Sequence, residues 1–387
     1  MTSFEYGTIS DPEDIQKLGS ILRQCFNSSL EDSEAYSQRI GLENFRVIRH
    51  QGEIVGGLAI LELGQWFGGK CVPMAGIAAV GVAPEYRGSG AALELLRQSL
   101  REIYERGLPI STLYAATQRL YRKVGYEQGG SRCFWEMPTN SIGLSDRTLP
   151  MQPVIQLHHE AFHQLYQEQA KVTNGYLARN SAIWEEVIKP PVYAYLIGKE
   201  TQPEGYIIFS QRQENNTNLI EIEDWVLLTT AAVRRFWTFI SDHRSQIEKV
   251  QWRHSTVDFL TLLLPEQTAK IYNSRRWMLR VVNVSLALEK RGYPENFAAE
   301  LHLEIRDDLI AENNGKFILT VANGRGEVSK GGKGELQLDI KGLSPLYTGF
   351  FTPEQLQLTG YLQATEKTLS LATQIFAASS PWLADFF

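Results

Sequence analysis

Arg87-Gly88-Ser89-Gly90-Ala91 places a guanidinium, two glycines and a hydroxyl in five consecutive positions ahead of an amphipathic stretch. At the start of a helix, backbone N–H groups from Gly88 to Ala91 would point at an anion. The helix dipole and the Arg87 charge would add to the attraction. Glycine at 88 and 90 keeps Cβ atoms away from an approaching phosphate. The segment is not a Walker loop, because no Lys-Ser/Thr follows the last glycine, and it is not Gly-x-Gly-x-x-Gly. The chemistry it offers is pyrophosphate binding. The structural alternative is a strand-turn-helix unit with an incidental glycine pair, since short glycine motifs arise by chance.

Elements that could position the loop are legible on both sides. Residues 77–82 read Ile-Ala-Ala-Val-Gly-Val, which predicts a buried strand that something approaches closely. After the loop, Ala92, Leu93, Leu96, Leu100, Ile103 and Tyr104 fall on one helical face. Glu94, Arg97, Arg101, Glu102 and Arg106 take the other, and Gly107 supplies a stop. A further strand, Leu113-Tyr114-Ala115-Ala116, leads to Leu120-Tyr121-Arg122-Lys123-Val124-Gly125-Tyr126.

In this order and separation, Arg-x-x-Gly-x-Ala at 87–92 and Tyr-x-x-x-Gly-Tyr at 121–126 resemble the GNAT acyltransferase family, whose loop binds the pyrophosphate of acetyl-CoA. The resemblance implies acetyl-CoA as cosubstrate, held by Val80, Val82, Arg87, Gly88, Ser89, Gly90 and Ala91. Trp277-Met278-Leu279-Arg280-Val281-Val282-Asn283-Val284, followed by 287–293, resembles the linker into the third domain of the Eis subfamily. Gly334-Glu335-Leu336-Gln337-Leu338-Asp339-Ile340 and 343–349 resemble that domain. Phe376-Ala377, Pro381-Trp382 and terminal Phe387 resemble its tail. The implied fold is mixed α/β and α+β, with tandem GNAT-like domains followed by a sterol-carrier-protein-like domain. The boundaries fall at 1–140, 141–290 and 291–387, and the implied assembly is a homohexamer.

The residues suit acetyl transfer to a primary amine. An alkyl amine has a pKa near 10.4, so at neutral pH its proton must be taken away. A backbone N–H at Val80 or Val82 would polarise the thioester carbonyl, and Val82 would pair with pantetheine amides as an added strand does. Tyr121 is the candidate general acid for the departing thiolate; packing against Leu120 and Val124 is its structural alternative. The Eis resemblance implies the α-carboxylate of Phe387 as general base. Pro381, Trp382, Leu383, Phe386 and Phe387 are too apolar for a frayed terminus. The alternative is that they anchor the last domain and leave the carboxylate in water. Two departures from the family pattern bear on the acceptor. Phe386 stands where an acidic residue usually precedes the terminal Phe, and Ala79 stands where a bulky aromatic precedes the Val-x-Val strand. Both reduce contacts to a polycation. Glu31, Asp32 and Glu34 would line an amine pocket or form a surface acidic run.

A chain of 387 residues exceeds one ordinary core. Its 43% hydrophobic content and formal charge of −6 describe a mildly acidic globular protein without a basic tract for nucleic acid or anionic lipid. No apolar run reaches membrane-spanning length, and residues 1–16 do not read as a signal sequence. Cys25, Cys71 and Cys133 are expected to be reduced thiols in a cytoplasmic protein. His158, His159 and His163 read as a solvated helix face, since no Cys or carboxylate pattern completes a metal set.

In the middle portion, 193–197 and 206–209 pair as strands, followed by 219–228 and a helix over 231–243. Thr229-Thr230-Ala231-Ala232 stands where the first domain has glycines, so this half is structural. From 291 onward, Leu301, Leu303 and Ile305 alternate, as do Leu336, Leu338 and Ile340, with turns at 323–326 and 330–334 and helices near 343 and over 366–376. The expected activity is N-acetyl transfer from acetyl-CoA to a polyamine, aminoglycoside or lysine-type amine in a ternary complex. A non-catalytic acyl-CoA sensor and an acyl-CoA thioesterase are the alternatives.

Overall fold

The computed structural model describes residues 3–387. They form two compact units, each assembled from separate stretches of chain. One contains the residues up to Gly129, Trp277–Ala378 and Phe387; the other contains Gly130–Arg276 and Ser379–Phe386.

The first unit opens with β1 (Glu5–Thr8), α1 (Pro12–Phe26), α2 (Leu30–Ile40), β2 (Phe45–His50), β3 (Glu53–Phe67), β4 (Lys70–Val82), α3 (Ala91–Glu105), β5 (Ile110–Tyr114) and α4 (Gln118–Arg122). Strands β1 to β4 form an antiparallel meander, and α3 carries the chain over to β5, which lies parallel to β4. The stretch expected at 77–82 is the end of a longer strand. On α3 the buried face is Ala91, Leu95, Leu96, Ser99, Leu100 and Ile103, so Leu95 takes the place expected of Leu93, which is half-buried with Tyr104. Gly107, at φ 72°, ends the helix in the left-handed region. This face packs on Ile48, Leu58, Ile60 and Ile77.

β6 (Glu127–Pro138) carries the chain across the division at Gly129–Gly130, so the 138–150 loop lies within the second unit. There follow β7 (Met151–Pro153), α5 (Glu160–Val172), β8 (Leu177–Ala178), α6 (Ser181–Val187), β9 (Tyr193–Lys199), β10 (Gln202–Glu214), β11 (Thr217–Leu227), α7 (Thr230–Asp242), β12 (Lys249–His254) and β13 (Lys270–Val281). The order is β6-β12-β11-β10-β9-β7, with α7 joining the parallel pair β11 and β12 as α3 joins β4 and β5. Here the helix start is closed by its own side chain: Thr229 accepts the Ala232 N–H at 3.1 Å.

Arg179 is the buried centre of this unit. It donates to Asp224 at 2.6 and 2.9 Å and to Asp385 at 2.9 Å, and stacks 3.9 Å from the Tyr166 ring centroid. Tyr206 donates to Asp224 at 2.7 Å. Arg179→Met removes the guanidinium that two buried carboxylates share and is expected to cost this unit about 3–5 kcal/mol. A thermal melt checks this, and an unchanged midpoint would show that the triad contributes no net stability.

The last five residues of β13 pair antiparallel with β5, Trp277 opposite Tyr114, in the first unit. The stretch that reads as a linker is therefore a sheet strand. It leads to α8 (Val284–Lys290), β14 (Ala299–Arg306), β15 (Gly315–Ala322), β16 (Arg325–Lys330), β17 (Leu336–Asp339), α9 (Ile340–Thr348), α10 (Pro353–Leu358), β18 (Leu362–Ala364) and α11 (Glu366–Ile375). The five strands order as β16-β15-β14-β17-β18. Leu301, Leu303, Ile305, Leu336 and Leu338 are buried as alternation predicts. Ile340 begins a helix instead, because Asp339 accepts the N–H groups of Lys341 and Gly342. The Gly292 N–H bonds Phe67 O at 3.0 Å, and a Cβ on Gly292 would lie 1.8 Å from Gly68 O. Among the described residues, no helix is long and apolar enough to cross a membrane.

Candidate active site

Two interruptions open β4. Against β3, Gly57 faces Gly81 and Ala59 faces Ala78, so Ala79 and Val80 together oppose Leu58 in a β-bulge, with Ala79 at φ 51°. Toward β5, pairing covers Met74, Ala75 and Gly76 and then stops. Beyond Gly76 the two parallel strands part, and Val80 has no register partner on either side among the described residues. Val82 is buried, and its carbonyl accepts the Cys25 thiol at 3.4 Å.

The loop after β4 enters α3 without a side-chain cap. Gly88 and Gly90 adopt φ of 84° and 97°, and a Cβ at either would meet nothing within 4 Å. Backbone conformation, not crowding, demands these glycines. Among the four expected N–H donors, Ser89 donates to Tyr86 O at 3.2 Å and Ala91 makes a long 3.4 Å contact with Ser89 Oγ. The N–H groups of Gly88 and Gly90 have no protein acceptor among the described residues. They join the first-turn amides of α3 as available donors. Arg87 is exposed beside the loop, its guanidinium 3.8 Å from Cys25 Sγ.

Tyr121 lies on α4, 6% exposed, in the same core as Ile77 and Val82. Its hydroxyl has no protein hydrogen-bond partner among the described residues, and burial pushes its pKa up to about 12. The neighbouring Tyr126 is fully buried and hydrogen-bonds Ser111 Oγ at 2.7 Å. Ser111 in turn donates to Ala75 O at 2.8 Å, just before the strands part. Tyr126 is thus a core strut, whereas Tyr121 is a buried phenol with its hydroxyl unengaged. Gly125 sits at φ 90° with the Arg280 Nε 2.6 Å from where its Cβ would be, which accounts for the glycine of the motif.

The tail is docked. Trp382 stacks on His254 and Trp225 at centroid distances of 4.8 and 6.1 Å, and its N–H bonds Asn174 O at 3.0 Å. Residues 381–385 therefore anchor in the second unit, not in the last domain as the alternative reading had it. Phe387 belongs to the first unit, where its ring lies 2.7 Å from the Cβ position of Gly76 and 6.4 Å, edge-on, from Tyr114. The final residue thus sits at the point where β4 and β5 diverge. Gly76 was missed in the sequence; an isolated glycine in an apolar strand signals close approach by another group.

Glu31, Asp32 and Glu34 are exposed on α2, and Asp32 there accepts from Ser29. His159 and His163 pack on Trp184, with centroids 6.2 and 6.4 Å away, so that face is more buried than its sequence suggests. Among the described residues, no group of three or more His, Cys, Asp or Glu is placed to hold a metal ion.

Residues 9–129 and 175–281 each match the profile described as acetyltransferase (GNAT) domain, and 284–384 match sterol carrier protein domain. The N-acetyltransferase Eis of Mycobacterium tuberculosis is 24% identical over 82% of this chain and 81% of its own length. The crystal structure of a GCN5-related N-acetyltransferase from Anabaena variabilis is 60% identical over the full length of both chains, with a TM-score of 0.97. Eis1 from Mycobacterium abscessus shares the fold at a TM-score of 0.84 and 20% identity, again over both full lengths.

Proposed function

Since this chain belongs to the GCN5-related N-acetyltransferase family, in its Eis-like branch, we propose that it transfers the acetyl group of acetyl-CoA directly to a primary amine of polyamine, aminoglycoside or lysine type bound in the same complex. The observation that carries this reading is the parting of β4 from β5 at Gly76, with Tyr121 in the adjacent core and Phe387 at the parting point. The Gly88 and Gly90 amides, the α3 N-terminus and Arg87 hold the pyrophosphate. The Val80 and Val82 backbone beside the gap receives the pantetheine arm, with one N–H polarising the thioester carbonyl. The α-carboxylate of Phe387 takes the amine proton as nitrogen attacks. Tyr121 donates to sulfur as the C–S bond breaks and regains its proton from solvent. An acid and a base suffice, so no covalent acyl-enzyme forms. The three cysteines are thiols, which fits the cytoplasm, and the proposed assembly is a homohexamer.

Thiol release from acetyl-CoA, followed with and without polyamines, aminoglycosides and lysine peptides, tests the proposal. Release that requires an amine is expected. Amine-independent release would identify a thioesterase, and CoA binding without release a sensor.

For the loop, Gly90→Val forces a β-branched residue to φ 97°, and the KM for acetyl-CoA is expected to rise at least about 10-fold with kcat largely kept. Arg87→Ala removes an exposed charge and is expected to raise KM only about 3-fold. Titration calorimetry with CoA checks both; unchanged affinity in Gly90→Val would move the pyrophosphate site elsewhere.

A further inference from the structure

No protein group holds the Tyr121 hydroxyl, so its aim is set by the backbone of 121–127 and the core around the ring. That backbone is gripped at two places. At one, Val124 O accepts Arg280 Nε at 2.9 Å, while Val124 N–H bonds Tyr121 O at 3.0 Å. Arg280 is fully buried, and its Nη2 donates to Asp307 Oδ2 at 2.6 Å. Asp307 is itself fixed by Asn313 Nδ2 at 2.8 Å and by the N–H groups of Leu309 and Ile310. At the other, Arg122, next to Tyr121, makes a bidentate pair with Glu127, both bonds 2.7 Å. The Tyr361 hydroxyl donates to the same Glu127 at 2.9 Å. Burial would raise the Glu127 carboxyl, but these hydrogen bonds hold it below its ordinary value, so it is charged. Asp307 and Tyr361 both lie within 284–384, the stretch matched to sterol carrier protein domain, and Leu309 and Ile310 of that stretch pack into the Tyr121 core.

We infer that the C-terminal domain is part of the catalytic apparatus, with Asp307 and Tyr361 as positioning residues that hold the 121–127 segment so that the Tyr121 hydroxyl is aimed at the sulfur. This rests on the reading of Tyr121 as the acid. The half-exposed Tyr361 is the better probe, because losing one hydroxyl there removes a strut without opening the core.

A double-mutant cycle on kcat separates positioning from general structural support. Tyr361→Phe is expected to lower kcat about 10-fold while leaving the KM for acetyl-CoA within about 2-fold, since small misplacements of a reacting group cost rate rather than binding. In a Tyr121→Phe background the same change is expected to have no further effect on kcat, because there is no hydroxyl left to aim. Asp307→Asn is expected to behave the same way with a loss of about 100-fold; should it fail to fold, the Tyr361 cycle carries the test. Unchanged kcat in Tyr361→Phe, or a loss that persists in full in the Tyr121→Phe background, overturns the inference and leaves the acid assignment standing. Full activity of Tyr121→Phe alone removes the acid assignment, and the inference with it.

Discussion

Tyr121→Phe is expected to lower kcat by about 10²–10⁴-fold, the range for loss of a positioned general acid, with the KM for acetyl-CoA unchanged. The ring stays in a site where Tyr121 is 6% exposed, and no protein group loses a hydrogen bond, because the hydroxyl has none among the described residues. Stability should therefore be kept, and a melt of the variant should overlay that of the parent. The pH dependence follows from the same burial. With the phenol pushed up to about 12, its protonated form persists as pH rises through the ordinary tyrosine value of about 10. The parent should thus show no alkaline loss of kcat from this group below about pH 11. A raised pKa also means that the hydroxyl gives up its proton only while the C–S bond is breaking, so the parent should show a solvent isotope effect on kcat that Tyr121→Phe lacks. Equal kcat across pH in parent and variant would remove Tyr121 from the chemistry.

The parts of this site that were legible in the sequence are those where residue type and local conformation are tightly coupled. Gly88 and Gly90 stand at positive φ, and Gly107 closes α3. The bulge was not legible: Ala79 takes a left-handed conformation that alanine does not advertise, and the opening past Gly76 depends on where a partner strand stops pairing. Long-range polar partners were equally hidden. Arg280 reads as one cation in an apolar run, yet it is fully buried, bonded both to Val124 O and to Asp307, and fills the space a Cβ at Gly125 would need. The stretch 277–281 reads as a linker in the sequence, and only the fold reveals that it is a strand paired with β5. Leu95 replacing Leu93 on the buried face of α3 is a smaller error, one of helical phase.

Removing the terminal carboxylate is the second large expected effect. If the base is the α-carboxylate of Phe387, then converting it to an amide, or appending a single glycine, should lower kcat by about 10²–10⁴-fold. The expectation follows from how little freedom the tail has. Asp385 accepts Arg179 Nε at 2.9 Å, with Nη2 2.8 Å from the same oxygen, and Trp382 stacks on His254 and Trp225, so the chain just before the terminus is tightly held. One residue spans at most about 3.5 Å, so deleting Phe387 would draw the terminal carboxylate back by about that much. Phe387→Ala keeps the carboxylate and loses only the ring against Gly76 and Tyr114, so its effect should be smaller, about 10-fold, through looser placement of the end. The converse variant, Gly76→Val, puts side-chain atoms where the ring lies and should mimic the loss of Phe387 while acetyl-CoA still binds. Comparing parent, amide, glycine extension and Phe387→Ala at saturating acetyl-CoA orders the effects. Full activity of the glycine-extended chain would show that the amine proton goes elsewhere.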